Sequence, residues 1–167
     1  MEKNVNNGKC ILGSVELETD LILAPMMDIG TPSFRQLAID EGGVGMIFTP
    51  MLFVAQLAIA PRTVLPQLEK IEVQRPCAVQ IVHSGKDPEN LKKAIDILNS
   101  YEFDVLDINS GCPSRRTMNS GGGGALIKSH VQGPENPDAC EMTESSRFKA
   151  LIERSIKFSD KPVSVKT

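Results

Sequence analysis

Phe103-Asp104-Val105-Leu106-Asp107-Ile108-Asn109-Ser110-Gly111-Cys112-Pro113 is the stretch whose reading decides the fold. Phe103 to Ile108 is a β-type run that delivers Asn109 to a Gly-Cys-Pro turn, so an amide and a thiol meet at the tip of a strand. Strand tips are where α/β proteins usually carry their chemistry.

Working outward, the neighbouring segments repeat the same alternation. Cys77 to Val82 is an apolar strand, followed by a helix with Asp87 as cap, Pro88 in the first turn and Leu91, Ala94, Ile95 and Leu98 at helical spacing. Upstream, Asp20 to Ala24 reads as a fully buried parallel strand ending in Pro25-Met26-Met27. A helix follows, capped by Thr31, with Pro32 in its first turn, Phe34, Leu37 and Ala38 on one face, and Gly42-Gly43 at its end. Val44 to Thr49 is a further strand, and Met51 to Ala60 reads equally as a buried helix or a packed loop. Gly13-Ser14 between Lys9–Leu12 and Val15–Leu17 predicts an N-terminal β-hairpin. Downstream, Gly121 to Gly124 opens a short apolar turn and Ser129 to about Thr143 is a polar insertion. Phe148, Leu151, Ile152 and Ile156 mark a last helix before a strand at Pro162 to Lys166.

About five successive strand-helix units argue for parallel β-α architecture, either a doubly wound sheet or a (β/α)8 barrel. No Gly-x-Gly-x-x-Gly follows the first strand, so the dinucleotide fold lacks its main signature. Residues 1–167 therefore read as one domain, a partial (β/α)8 TIM barrel of about five β-α units with an N-terminal hairpin.

Composition bounds the function. A formal net charge of -3 gives no global field for nucleic acid, which leaves only a local basic patch. Cys10, Cys77, Cys112 and Cys140 are widely spaced, with no C-x-x-C pair and no histidine at ligand spacing, so reduced thiols and no metal site are expected. The polar start, Met1 to Lys9, and the lack of a long apolar run predict a cytoplasmic protein with no membrane span. His83 reads as an ordinary strand-end histidine and His130 as exposed.

Leu23-Ala24-Pro25-Met26, Thr31-Pro32-Ser33-Phe34-Arg35, Gln80 after Ala78-Val79, the Asp107–Pro113 stretch, Gly121 to Leu126 and Val163-Ser164-Val165-Lys166 occur in an order that resembles the tRNA-dihydrouridine synthase family. These are FMN-dependent TIM-barrel enzymes that reduce uridine in tRNA, with NADPH or NADH recharging the flavin. The resemblance implies that Cys112 is the general acid. It places Ala24, Pro25, Met26, Gln80, Asn109 and Lys166 at the flavin, with Asn109 also at the substrate. Arg115 and Arg116 are candidates for tRNA phosphates. It also implies that the C-terminal barrel strands, the segments that hold the FMN phosphate and the tRNA-binding helical domain are absent. The chain is then expected to be weakly active or inactive alone, and to form a homo-oligomer or associate with a missing C-terminal half. Two other readings stay open: a dihydroorotate dehydrogenase-like reductase of a free pyrimidine, and a non-catalytic half-barrel acting in assembly or RNA contact.

Overall fold

A computed structural model of the chain describes residues 10–69, 76–127 and 144–167. The polar insertion, with His130 and Cys140, lies outside the described residues. Strands β1 (Cys10–Leu12) and β2 (Val15–Leu17) form the expected antiparallel hairpin. The chain continues through β3 (Ile22–Leu23), α1 (Pro32–Asp40), β4 (Met46–Phe48), β5 (Leu52–Phe53) and α2 (Val54–Ile59). It ends with β6 (Cys77–Val82), α3 (Pro88–Asn99), β7 (Val105–Asn109), α4 (Arg115–Asn119), α5 (Glu144–Phe158) and β8 (Val163–Lys166). The large sheet has the order β3-β4-β6-β7-β8, all parallel, with β5 added beside β6. Sequential parallel strands with helices between them give the curled half-barrel that the sequence predicts.

Local chemistry explains the helix starts. The Thr31 hydroxyl accepts the Phe34 N–H at 3.2 Å and the Asp87 carboxylate accepts the Asn90 N–H at 3.0 Å, each just before a proline in the first turn. These caps satisfy N–H groups that have no partner within the helix. On α3, Leu91, Ala94, Ile95 and Leu98 are all wholly buried. They pack with Val79, Ile81, Leu106 and Ile108 of the strands, Val54 and Leu57 of α2, and Leu151 of α5. Each fully buried aliphatic of this layer contributes about 1.5–3 kcal/mol.

The opposite face of the sheet holds a smaller cluster: Met46, Phe48, Ala78 and Val105, closed from below by Leu17 of the hairpin. Side chains alternate between faces along a strand, so the residues two and four positions beyond this apolar floor share its side of the sheet. Those residues are Gln80 on β6 and Asp107 and Asn109 on β7. The inner face is therefore apolar at the bottom and polar at the C-terminal rim.

Three expectations need correction. The first sheet strand is short and lies at an edge, with Leu21 and Ile22 exposed rather than buried on both sides, because only β4 pairs with it among the described residues. Leu37 of α1 is 55% exposed, and the wholly buried residue of that helix is Arg35. Its guanidinium donates to the Gly30 carbonyl at 2.7 Å and to the Glu69 carbonyl, tying α1 to the loop beyond α2. Ile156 of α5 is also exposed, while Leu151 is wholly buried and Phe148 and Ile152 pack partly buried against the same core. The ambiguous segment from Met51 to Ala60 resolves into a two-residue strand running directly into a short helix. Among the described residues, no helix is long and apolar enough to cross a membrane.

Candidate active site

Parallel register assembles the site. Gln80 lies beside Asp107, Asp107 beside Ser164, and Asn109 beside Lys166 across β6, β7 and β8. Their side chains form a connected chain of hydrogen bonds. The Ser164 hydroxyl donates to Asp107 Oδ1 at 2.6 Å, and Gln80 Nε2 donates to Asp107 Oδ2 at 2.7 Å. Asn109 Nδ2 then donates to Gln80 Oε1 at 2.9 Å. At its other end, Asn109 Oδ1 accepts the backbone N–H groups of Cys112 at 2.9 Å and Gly111 at 3.3 Å. Gln80, Asp107 and Asn109 are only 1%, 2% and 3% exposed, so each bond replaces one that water would otherwise have supplied.

Beyond the chain of amides stands the thiol. Cys112 is half-buried, and the turn that carries it is held from both sides. The Gly124 N–H donates to the Cys112 carbonyl at 3.0 Å, so the glycine-rich turn folds back over the cysteine. Ser110 fixes the neighbouring strand end, donating both its backbone N–H and its hydroxyl to the Lys166 carbonyl, at 2.8 and 3.0 Å.

Electrostatics differ between the two acidic groups. Burial is the largest influence on Asp107 and pushes its carboxyl above the usual carboxylate range, opposed by the hydrogen bonds from Gln80 and Ser164 and by the Lys166 charge. For Cys112, burial again pushes upward. Hydrogen bonds with Ser114 and Thr117, together with the nearby Lys166 cation, outweigh it and hold the thiol below its ordinary value. A lowered thiol is a stronger proton donor and also a faster nucleophile near neutrality. Alkylation of Cys112 followed by peptide mass spectrometry is accordingly expected to show a pH midpoint below that of an unperturbed cysteine in a short peptide alkylated under the same conditions. Thr117→Val should raise that midpoint; a Thr117→Val midpoint no higher than that of the unaltered chain would contradict a lowering by the Thr117 hydroxyl.

The remaining sequence-predicted residues are placed as follows. Ala24, Pro25 and Met26 follow β3 and make no hydrogen bond to the β6–β8 cluster among the described residues; the Met26 carbonyl instead closes a turn with the Gly30 N–H at 2.9 Å. Arg115 and Arg116 are exposed on α4, and the Arg116 guanidinium lies 4.7 Å over the Phe53 ring. His83 is buried and its Nδ1 accepts the Gly85 N–H at 3.0 Å. Sequence reasoning assigned no role to Asp107, Ser164, Ser114, Thr117 or Met51, whose sulfur lies 3.6 Å from Asn109 Nδ2. One signal was available for Asp107: a carboxylate within an otherwise apolar strand, two positions before the candidate Asn109 and so on the same face.

Fold and site together define a parallel β/α-barrel protein whose polar, thiol-bearing site lies at the C-terminal ends of the strands. A family model described as "Dihydrouridine synthase (Dus)" matches residues 22–132, more than half of the chain. The chain belongs to the dihydrouridine synthase family. It is 31% identical over 128 residues to a tRNA-dihydrouridine synthase B of Pseudomonas aeruginosa, covering 77% of this chain and 38% of the relative. It is 30% identical over 117 residues to a tRNA-dihydrouridine synthase B of Pasteurella multocida, covering 70% of this chain and 34% of the relative. A probable tRNA-dihydrouridine synthase of Rhodobacter capsulatus matches at 26% over 156 residues, 93% of this chain and 43% of the relative. The chain thus spans less than half the length of the relatives it matches.

Proposed function

We propose that this chain provides the cysteine-bearing N-terminal part of an FMN-dependent tRNA-dihydrouridine synthase, reducing uridine to 5,6-dihydrouridine. The observation that carries the reading is the convergence of Gln80, Asn109, Cys112 and Lys166 at adjoining strand ends in a chain of this family.

The donor set suits a flat heteroaromatic ring. Gln80 spends one N–H on Asp107, leaving a second, and Asn109 directs an N–H at the Met51 sulfur, a weak acceptor that a ligand oxygen would outcompete. Lys166 brings a positive charge next to Asn109, where it would stabilise negative charge on a reduced flavin ring. Ala24, Pro25 and Met26, which follow β3, would approach the ring through backbone and van der Waals contact. When bound and recharged by NADPH or NADH, FMN would supply the hydride for C6 of the uracil ring. Cys112 gives its thiol proton to the adjacent carbon, and the lowered thiol makes that donation easier. Arg115 and Arg116 flank the thiol turn on its exposed side, where guanidinium groups pair with tRNA phosphates. A tRNA substrate favours a cytoplasmic location for the working protein.

The outer edges of β3 and β8 have no paired strand among the described residues, and Leu21 and Ile22 are exposed at the β3 edge. Further barrel strands would cover these edges, which fits relatives of which this chain covers 34% and 38%.

The test joins this chain to the C-terminal portion of the Pseudomonas aeruginosa relative and supplies FMN, NADPH and unmodified tRNA. The joined protein is expected to be yellow and to convert uridine to dihydrouridine, read as a gain of two hydrogens by mass spectrometry. This chain alone should bind FMN weakly. A folded, yellow joined protein that oxidises dihydroorotate and leaves tRNA unchanged would overturn the proposal.

A further inference from the structure

The hydrogen-bonded chain across β6, β7 and β8 has a direction, and that direction is set at its two ends. At one end stand two backbone N–H groups, Gly111 and Cys112, which can only donate. At the other stands the Asp107 carboxylate, which, when ionised, can only accept. Between them lie two amides, Gln80 and Asn109, each of which has an oxygen end and a nitrogen end. Of the head-to-tail arrangements open to two amides, one satisfies every group: nitrogen of Gln80 to Asp107, nitrogen of Asn109 to oxygen of Gln80, oxygen of Asn109 to the turn. Inverting either amide sets nitrogen against N–H or oxygen against carboxylate, in a region where water cannot repair the loss.

We propose that Asp107 is a positioning residue: by accepting from Gln80 it fixes the orientation of the Gln80 and Asn109 amides, and through Asn109 it holds the Gly111-Cys112 turn in place. Asp107 acts on the turn only through these two amides, from a strand position five residues before Cys112. Ser164 donates to the other carboxylate oxygen and keeps the carboxylate plane aligned with Gln80. The consequence for proton donation by Cys112 rests on the reductase reading above, whereas the relay itself does not.

The relay is tested in an experiment without flavin or tRNA. Backbone amide hydrogen exchange is followed by NMR at Gly111 and Cys112 in the unaltered chain, in Gln80→Glu, in Asp107→Asn and in the double variant Gln80→Glu with Asp107→Asn. At a pH high enough to ionise both groups, Gln80→Glu sets two carboxylates against each other, and exchange at both amides is expected to rise about ten- to a hundredfold, the effect of losing a hydrogen bond to a charged group. Asp107→Asn keeps one acceptor oxygen and is expected to lie between Gln80→Glu and the unaltered chain. The double variant moves the carboxylate from β7 to β6 with the shape unchanged. The amide introduced on β7 then donates to the carboxylate introduced on β6, whose second oxygen still accepts from Asn109, and Asn109 still accepts from the turn. Exchange should therefore return to within about threefold of the unaltered chain, a coupling that independent packing effects do not produce. Thermal unfolding of each variant reports whether it folds; a Gln80→Glu chain that fails to fold while the double variant folds with a protected turn also supports the relay. A double variant that does not fold, or whose Gly111 and Cys112 amides exchange as fast as in Gln80→Glu, overturns it. Loss of the relay with intact tRNA reduction in the joined protein would count against Asp107 alone, and an intact relay without reduction would count against the reductase reading alone.

Discussion

Cys112→Ala is expected to lower dihydrouridine formation by the joined protein about 10²- to 10⁴-fold, the range that a positioned general acid supplies. The side chain is half-buried in a turn and belongs to neither hydrophobic cluster, so its removal should leave thermal stability nearly unchanged. What disappears is the thiol proton donor that the turn holds beside Asn109 and Lys166. Cys112→Ser should be nearly as inactive as alanine, because an aliphatic hydroxyl is a far weaker acid than a thiol held below its ordinary value. Reduction of the bound flavin by NADPH should persist in both variants, since that half-reaction does not need the thiol. Single-turnover measurement of uridine reduction checks the expectation, and a loss of less than about threefold would remove Cys112 from the chemistry.

The second large effect concerns the glycine turn. Gly123 has φ +58°, and a Cβ there would lie 2.4 Å from Thr117 Cγ2 and 2.8 Å from the Cys112 carbonyl oxygen. Thr117 is wholly buried and cannot retreat, and the Cys112 carbonyl is already engaged by the Gly124 N–H. Gly123→Ala is expected to cost about 1–2 kcal/mol for the left-handed backbone and a further ~1–3 kcal/mol for overpacking. Gly42→Ala is the matched control, because Gly42 has φ +82° with nothing within 4 Å of the added carbon. It should show the backbone cost alone. Chemical denaturation of the two variants gives the difference, and equal losses would mean that the turn yields without disturbing Cys112. With the expected difference, Cys112 should also alkylate faster in Gly123→Ala, since the clamp on its carbonyl is displaced.

Much of the scaffold is legible in the sequence. Thr31 and Asp87 cap their helices as their position before a proline predicts, and Leu91, Ala94, Ile95 and Leu98 face the core as their spacing predicts. These features are local: a cap acts over three residues and a helical face over four. Element lengths and edges are less legible. Asp20 to Ala24 resembles a buried strand because most of its residues are apolar, yet burial of Leu21 and Ile22 depends on a neighbour that their own sequence does not encode. Arg35 shows the same limit from the other side, since a charged residue on α1 becomes its most buried member only where the Gly30 and Glu69 carbonyls converge on it.

The amino-acid order alone determined the class of architecture, the helix starts, and the turn that carries Cys112 at a strand tip. Only the tertiary structure decided that Asp107 anchors the site, that Gln80 and Asn109 bind each other, and that the glycine turn folds over the cysteine carbonyl. The reason is distance along the chain. Gln80 and Asp107 are 27 residues apart and Asp107 and Ser164 are 57, so their contact is fixed by the register between parallel strands. Periodicity and capping act within a turn or two of backbone and cannot specify that register.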